Sequence, residues 1–434
     1  MVGLFYPLAV GTVVESPQLM SQFISNCVFV SVGSASRPRQ SESKVDVIMA
    51  GDARAWNTTI NRLLARALAK DERLRFRGFG PKYIYRRSEL ESSIEFLGDD
   101  NFQGHFPSEL LNFPRASANM DYLIMHSFTP ELGEQAEKIC KTKNCKWIHV
   151  VHTIWAEVEK LFDATGITNA RRVEEQHQWQ IELCEKADIV VTIGPKIAEA
   201  HRSLLHSSGK DTNVICLTPA IFPELHQNGK SVHNIHENRD KFCVLIDAAD
   251  SAGFFNAKGL DIAMEAISSL QDMSYHLVFV PRPGGDSTDL EIILQARGLD
   301  WNQFTMKSCV GTTAHWAECI VDADVVIMPS RFEGFGLSGL YAISANVPVL
   351  VGRNSGLAMA LKMLPSGANH VVESNNPRVW ADKIKAVRAK DPTIRAEQAK
   401  RLRKEYMYQF NWENQCKELV EKMITKHCKC CVSF

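Results

Sequence analysis

Short apolar segments alternate with amphipathic helical patterns from Lys44 onward, and this alternation limits the possible folds of the 434-residue chain most strongly. Strands that alternate with helices form parallel βαβ units, with helices on both faces of the sheet. Apolar runs predict strands at 44–50, 122–126, 146–152, 188–193, 214–217, 242–246, 275–280, 324–328 and 347–351. Helical spacing predicts helices at 57–70, 131–141, 171–186, 259–270, 288–297 and 337–345. An α/β protein with doubly wound sheets is therefore expected.

A polar segment divides these elements into two series. Residues 226–240 read HQNGKSVHNIHENRD, which is typical of a linker. Two series predict two Rossmann-like domains, at 44–225 and 241–408, with a cleft between them. Residues 1–43 receive no fold assignment; their apolar stretch lacks the basic flank of a signal peptide.

Composition narrows the class of partner and the compartment. The chain has 49 basic and 50 acidic residues, a net charge of −1, which argues against a nucleic-acid binder. It contains no apolar run long enough for a transmembrane helix. Nine of the 12 cysteines are scattered singly up to Cys416, a layout that predicts reduced thiols and a cytoplasmic protein.

The segment from Met328 to Leu361 carries the chemistry. A strand is expected to end at Ser330, followed by a turn with Glu333-Gly334-Phe335-Gly336 and a helix from about Leu337. Glycines allow a ligand to approach the backbone closely. Free N–H groups and the dipole at a helix start favour an anion, typically phosphate.

This segment resembles the donor-site signature of retaining GT-B glycosyltransferases of the group-1, family 4 type. FNAKGLDIA at 255–263 resembles the stretch of that family that bears a diphosphate-binding lysine. Further similarity lies at 122–126, 147–153, 187–194 and 323–333, and the resemblance spans roughly residues 44–425. It is greatest to an animal, cnidarian-like branch. A GT-B architecture is implied, in which the last helix, at about 412–425 within a segment 409–427, returns to the N-terminal domain.

The resemblance implies a site residue by residue. Glu333 would contact the donor sugar, Lys258 would neutralise the diphosphate leaving group, and His126 would steady the reacting sugar at the acceptor side. The remaining implied donor contacts are Gly334, Phe335, Gly336 and Leu337 through backbone N–H groups, with Ser330 and Tyr341. The substrates would be a nucleoside-diphosphate sugar and a hydroxyl acceptor, both of unspecified identity. No metal is implied, and no clear metal-ligand spacing is found.

Three positions depart from the family pattern. Tyr341 stands where a second glutamate usually binds ribose hydroxyls, Ala248-Ala249 where Gly-Arg is usual, and Ala55-Trp56 where a Gly-Gly loop is usual. Each lost charged contact costs about 1.5–3 kcal/mol of binding. A catalytically inactive relative that binds a nucleotide, a glycan or a protein is therefore the alternative function.

Other interpretations remain open at single positions. Residues 334–339 also satisfy G-x-G-x-x-G, but Pro329–Glu333 separate them from the strand, unlike a dinucleotide fingerprint. Lys258 alone could be a solvated lysine, and Glu333 could cap its helix. His126 could be a buried structural histidine and Trp56 a core residue. Asn346 fits a left-handed helix end.

The C-terminal segment 428–434 reads CKCCVSF. Its last four residues fit a C-a-a-X prenylation box at Cys431, and Cys428 and Cys430 are candidate palmitoylation sites that would add membrane association. Ser433 weakens the match, and an inert tail or metal capture are the alternatives.

Overall fold

The computed structural model describes the chain from Lys44 onward, with gaps. The described residues are 44–51, 56, 58–80, 94–97, 119–126, 130–157, 170–227, 240–248, 255–281, 292, 294, 299–307, 316, 319–320 and 322–431. Side chains are described for most of these, but His126 is among those described by backbone alone.

The first half of this region forms a parallel sheet. Its strands are β1 (Val45–Ala50), β2 (Leu74–Phe79), β3 (Glu95–Phe96), β4 (Tyr122–His126), β5 (Lys146–Val151), β6 (Ile189–Ile193) and β7 (Val214–Leu217). The helices are α1 (Thr59–Ala69), α2 (Pro130–Lys143), α3 (Ala170–Lys186), α4 (Pro195–Leu205) and α5 (Glu224–Gln227). The strand order is β3-β2-β1-β4-β5-β6-β7.

The second half forms another parallel sheet. Its strands are β8 (Phe242–Ala248), β9 (Tyr275–Pro281), β10 (Phe304–Met306), β11 (Val325–Met328), β12 (Val349–Gly352) and β13 (Val371–Val372). The helices are α6 (Leu260–Ser269), α7 (Leu337–Ser344), α8 (Gly356–Lys362), α9 (Pro377–Arg388), α10 (Pro392–Gln409) and α11 (Trp412–Cys431). The order β10-β9-β8-β11-β12-β13 completes two doubly wound sheets, so the predicted fold class is confirmed.

Helices cover both faces of the sheets, which explains why the strands could be found in the sequence. Every residue of β1, β6, β11 and β12 is buried. A parallel strand that is buried on both faces is a nearly continuous apolar run. Sheet order then fixes the site, because β8 and β11 are hydrogen-bonded neighbours whose carboxyl ends lie together.

The last helix joins the end of the chain to the first sheet, as the resemblance implies. Tyr122 Oη on β4 donates to the carbonyl of Met423 on α11 at 2.7 Å. Trp412 Nε1 donates to the carbonyl of Leu63 on α1 at 3.2 Å. Helix α11 thus packs against α1 and β4, although it starts after the second sheet is complete. The domain boundaries proposed at 225, 241 and 408 stay predictions.

Cysteine pairing differs from expectation at one position. The cysteines at 140, 145, 184, 216, 243 and 416 are free thiols, but Cys319 is disulfide-bonded to a partner outside the described residues. The prediction of reduced thiols is therefore wrong for Cys319. Helix α11 includes Cys428, which is exposed, and ends at Cys431; the rest of the proposed prenylation box lies outside the described residues. None of the described helices is long and apolar enough to span a bilayer.

Candidate functional site

A tight turn before α6 brings Lys258 to the end of β11. Gly259 adopts φ +71°, and a β-carbon at this position would lie 2.2 Å from the carbonyl oxygen of Pro329. Because L-residues with side chains rarely adopt this conformation and no space exists for one, glycine is required here. The turn therefore passes directly against the segment that follows β11, where Glu333 lies.

Lys258 and Glu333 form an ion pair in the chain as it stands. Lys258 Nζ donates to Glu333 Oε2 at 2.6 Å, and Asp247 Oδ2 on β8 lies 3.9 Å from the same nitrogen. All three side chains are mostly buried, with 13–20% of their surface exposed. The ammonium thus lies between two carboxylates, and the three groups carry a net charge of −1.

The loop from Pro329 to Gly336, called the donor loop because the family resemblance implies a sugar donor there, ends at a helix start that is open to an anion. Gly336 is the N-cap of α7, with φ +109°, and it offers no side-chain cap. A β-carbon there would lie 2.6 Å from Met328 Cε. The first N–H groups of α7, those of Leu337 and Ser338, therefore have no side chain of the capping residue to donate to. Such a helix start suits a phosphate group.

Arg331, which the sequence analysis did not single out, fastens this loop to the lysine turn. Its guanidinium donates to both carboxylate oxygens of Asp261, at 2.7 and 2.6 Å, and to the carbonyl of Asn256 at 2.6 Å. Its backbone N–H donates to the carbonyl of Ala257 at 2.9 Å. A two-pronged contact of this kind fixes orientation as well as distance. Arg331 thereby holds Lys258 and Glu333 at a fixed separation.

The same loop contacts the first sheet through residues that the sequence analysis also missed. Gly194, between β6 and α4, lies against the ring of Phe335, and Gly334 lies against the carbonyl of His152. Lys196 Nζ donates to the carbonyl of Asn354 at 2.9 Å. The carboxyl ends of the two sheets thus meet at the Glu333–Gly336 turn.

Replacing Gly194 by alanine is expected to loosen this contact. Gly194 has φ +93°, and a β-carbon would lie 2.4 Å from Phe335 Cδ2. The ψ of Gly194 is 162°, so the backbone lies in a region that is essentially restricted to glycine. A side chain there costs about 1–3 kcal/mol, and overpacking about 1–3 kcal/mol more. We expect the midpoint of thermal unfolding to fall accordingly.

Gly209→Ala is the matched control, because Gly209 has φ +67° but nothing within 4 Å of an added β-carbon. It should lose the backbone contribution alone. Equal losses in the two variants, measured by calorimetry, would contradict the packing of Phe335 on Gly194.

The other predicted site residues occupy different surroundings. Ser330, Gly334, Phe335 and Gly336 are buried in the loop, and Leu337 is half-buried at the helix start. Tyr341 is 7% exposed and packs against Phe222 and Trp316, with ring centroids 5.0 and 5.6 Å away. His126 ends β4, and its side chain, like Ala249, lies outside the described residues.

Two structural interpretations from the sequence are settled. Trp56 is 1% exposed; its Nε1 donates to the carbonyl of Phe79 at 2.9 Å, and its ring meets Phe96 edge-on. Trp56 is therefore a core residue. Asn346 has φ +59°, so the left-handed helix end that its residue type suggested is confirmed.

Three histidines with lowered pKa values lie behind this contact: His149 on β5, His152 directly after β5, and His201 on α4. Burial, together with His201 and His152, lowers the pKa of His149 to about 3. Burial also lowers the pKa of His152 and of His201 to about 4. His201 Nδ1 donates to the carbonyl of Ile197 at 2.9 Å, and its Nε2 has no partner among the described atoms. All three imidazoles are therefore neutral at physiological pH.

A family model decides the classification. The model described as Family 4 Glycosyltransferase in conflict systems matches residues 57–419. The chain belongs to this glycosyltransferase family. The predicted membership in the glycosyltransferases is thus confirmed over most of the chain.

Relatives of known function and solved structures agree with this family. D-inositol 3-phosphate glycosyltransferase of Corynebacterium urealyticum is 25% identical over 331 residues, covering 73% of this chain and 74% of the relative. Sucrose-phosphate synthase from Thermosynechococcus elongatus has a TM-score of 0.67 at 15% identity, covering 89% and 100% of the two chains. Anabaena HepE in complex with UDP and glucose has a TM-score of 0.64 at 14% identity, covering 87% and 98%. The structural likeness establishes the GT-B fold.

The described residues include no group of three or more His, Cys, Asp or Glu side chains placed to hold a metal ion. The cations near the loop from Pro329 to Gly336 include Lys258, Arg331 and Lys196, and each is paired with a carboxylate. Lys196 Nζ also lies 4.5 Å from the centre of the Phe332 ring.

Proposed function

We propose that the chain is a retaining glycosyltransferase that moves a sugar from a nucleoside-diphosphate sugar to a hydroxyl acceptor. The observation that carries the proposal is the 2.6 Å contact between Lys258 and Glu333 beside the open start of α7. A cation and a helix N-terminus at one point suit a diphosphate. A carboxylate next to them suits the hydroxyl groups of a sugar.

Each group would have a separate role in the transfer. The bond between the anomeric carbon and the diphosphate oxygen breaks, and negative charge builds up on the diphosphate. Lys258 and the N–H groups of α7 would stabilise that charge. Because the charge develops in the transition state, this stabilisation would lower the barrier to transfer. Glu333 would accept hydrogen bonds from the sugar, and His126 would act on the acceptor side, as the family resemblance implies.

The ion pair gives this mechanism a specific first step. With Asp247 and Glu333 both near Lys258, the diphosphate must draw the ammonium away from a carboxylate. Glu333, once released, would be free to accept from the donor sugar. Donor binding and the rearrangement of Glu333 would thus be coupled. Asp247 would keep the lysine within reach of the diphosphate while the exchange occurs.

An inactive binding protein remains the second candidate, because of two side chains. Tyr341 is packed among aromatic rings, so its hydroxyl is a poor substitute for a ribose-binding carboxylate. Trp56 fills the core where relatives have a glycine loop. Both changes would weaken donor affinity, but neither removes Lys258 or Glu333.

The test is a transfer assay with UDP-, GDP- and ADP-linked sugars and a panel of hydroxyl acceptors. We expect one donor to release its nucleoside diphosphate only when an acceptor is present. Proton NMR of the product should show the anomeric configuration of the donor. Inverted product would contradict the retaining mechanism, and donor binding without any turnover would favour the inactive alternative.

A further inference from the structure

A cavity lies at the opposite end of the C-terminal sheet from the donor loop. It encloses about 340 Å³ between the start of β12, the turn at Gly367–His370, and helices α9 and α10. Val349, the first residue of β12, lines it, whereas Gly352, the last, lies against the backbone of Ser330 in the donor loop. A strand of this length spans about 10 Å. The cavity is therefore separate from the donor site.

The lining of this cavity is basic. Lys383, Lys390, Arg395 and Arg401 line it, and the described lining residues include no aspartate or glutamate. The two helices that form its outer walls carry the same bias. Residues 377–409 contain ten Lys or Arg and four Asp or Glu, a net charge of +6 in a chain whose total is −1. The positive charge is thus concentrated in this part of the molecule.

Two carboxylates near the cavity are each shared between a lining arginine and other donors. Asp324 accepts the N–H of Cys243 at 2.8 Å and lies 3.9 Å from the Arg395 guanidinium. Glu405 accepts the N–H and hydroxyl of Ser366 at 2.8 and 2.6 Å, in addition to Arg401 Nε. Because each carboxylate is shared, the cations around the cavity remain incompletely neutralised.

The other three lining cations have weak charge compensation or none that the structure shows. Lys390 Nζ donates to the amide oxygen of Gln398 at 2.8 Å, which supplies no charge compensation. Arg395 is only 12% exposed on its side chain, so its distance of 3.9 Å from a carboxylate leaves it poorly compensated. Lys383 is exposed at the rim.

His370, at the inner wall of the cavity, is affected by the same positive charge. His370 Nδ1 donates to the carbonyl of Val349 at 3.1 Å, which leaves Nε2 as the second polar atom of the ring. Burial and the nearby Lys390 lower the pKa of His370. A neutral imidazole avoids adding charge to the lysines, and a bound anion would favour its protonation.

We propose that this basic cavity binds a small, soluble phosphorylated anion, of the size of a diphosphate or sugar phosphate, independently of the donor site. Its volume falls in the lower range of small-molecule sites. Lys383 on α9, Lys390 in the turn that follows and Arg395 on α10 line the cavity, and multiple cations around one concavity suit a phosphate. The concave shape favours a compact ligand over a membrane surface, which would need a flat or convex face. The proposal does not depend on the proposed transferase function.

The test is calorimetric titration with inorganic pyrophosphate. It is done in the Lys258→Met protein, so that the donor site contributes little. The lining pair Lys383→Gln with Lys390→Gln is compared with Lys385→Gln plus Lys404→Gln, which lie exposed on α9 and α10 outside the cavity. Both doubles remove two charges. We expect at least a tenfold loss of affinity in the lining pair and about a twofold loss in the control pair.

Three results would overturn the proposal. Equal weakening in the two double variants would indicate diffuse charge attraction. Absence of saturable binding up to about 10 mM pyrophosphate would indicate no site. Sedimentation with phosphatidylserine vesicles that depends on the lining pair, without pyrophosphate binding, would assign the basic surface to a membrane instead.

Discussion

Replacing Lys258 by methionine is expected to lower the transfer rate by about 10²–10³-fold, or ~3–4 kcal/mol of transition-state stabilisation. The 2.6 Å contact with Glu333 places the ammonium at the open start of α7, where the leaving diphosphate would gain charge. Methionine keeps the length of the side chain but removes its charge. The loss should therefore appear mainly in kcat, because the charge develops as the bond breaks.

Lys362→Met is the matched control. Lys362 forms an ion pair of the same 2.6 Å length with Glu373, but the two side chains are 44% and 61% exposed. Exposed pairs contribute about 0–1 kcal/mol, so this variant should keep its activity. Circular dichroism spectra should show both variants folded. A Lys258→Met protein that retains its kcat within about threefold would contradict the role of the lysine.

Acidification is expected to destabilise the first sheet and helix α4, which packs on it, through three histidines with lowered pKa values. The pKa values of His149, His152 and His201 are lowered to about 3, 4 and 4, and their ordinary value is 6.5. The unfolded chain therefore binds protons at a higher pH than the folded chain does. Stability is full above about pH 6.5, falls as the pH drops below it, and levels off near the folded-state values. His201 alone accounts for roughly 3 kcal/mol.

The contribution of His201 can be isolated by comparing two variants on one helix. His201→Asn keeps a donor near the position of Nδ1 but cannot be protonated in this range. His206→Asn changes an exposed histidine at the end of the same helix α4. Carboxylates with lowered pKa values, such as Glu137, also destabilise the protein in acid, so only the difference between variants is informative.

We expect the urea midpoint of His201→Asn to change less between about pH 7.5 and about pH 4.5 than the midpoints of the parent and of His206→Asn. Tryptophan fluorescence follows the transition. Identical pH dependence in all three proteins would show that His201 is not buried as a neutral group.

The strands that could be predicted from the sequence are those that are buried on both faces. Strands buried on both faces, such as β6, are continuous apolar runs, and the sequence analysis located them. The sequence LRFRGF at β2 contains two arginines and was not recognised as a strand. Arg77 and Arg75 both reach Asp46 on the neighbouring β1, at 3.0 and 3.3 Å. The charges are thus neutralised across strands, a pairing that no local pattern reveals.

The candidate site was predictable to the extent that it follows a motif. The family resemblance named Lys258 and Glu333, and the structure brings them together although 75 positions separate them. Arg331, Gly194 and Lys196 were missed for a physical reason. Their roles depend on which loops meet at the carboxyl ends of two different sheets, and such contacts depend on the packed fold. The one available signal was the glycine at position 194, directly before a helix, where the structure shows a positive φ.

The basic cavity beside α9 and α10 could not be predicted from the sequence either. The excess of Lys and Arg over 377–409 can be counted in the sequence, but a charged amphipathic helix is ordinarily a solvated surface. Only the packing of two such helices against the start of β12 creates a concave basic lining. Sequence composition therefore indicated the charge, and tertiary structure indicated its arrangement.

The most direct test of the central claim is isothermal titration of the parent protein and of Lys258→Met with UDP, GDP and ADP at about 0.15 M salt. The donor-site account predicts that one nucleotide binds the parent with a Kd in the micromolar range and binds Lys258→Met at least tenfold more weakly. Absence of binding by the folded parent protein up to millimolar nucleotide, or equal affinity in the two proteins, would contradict it.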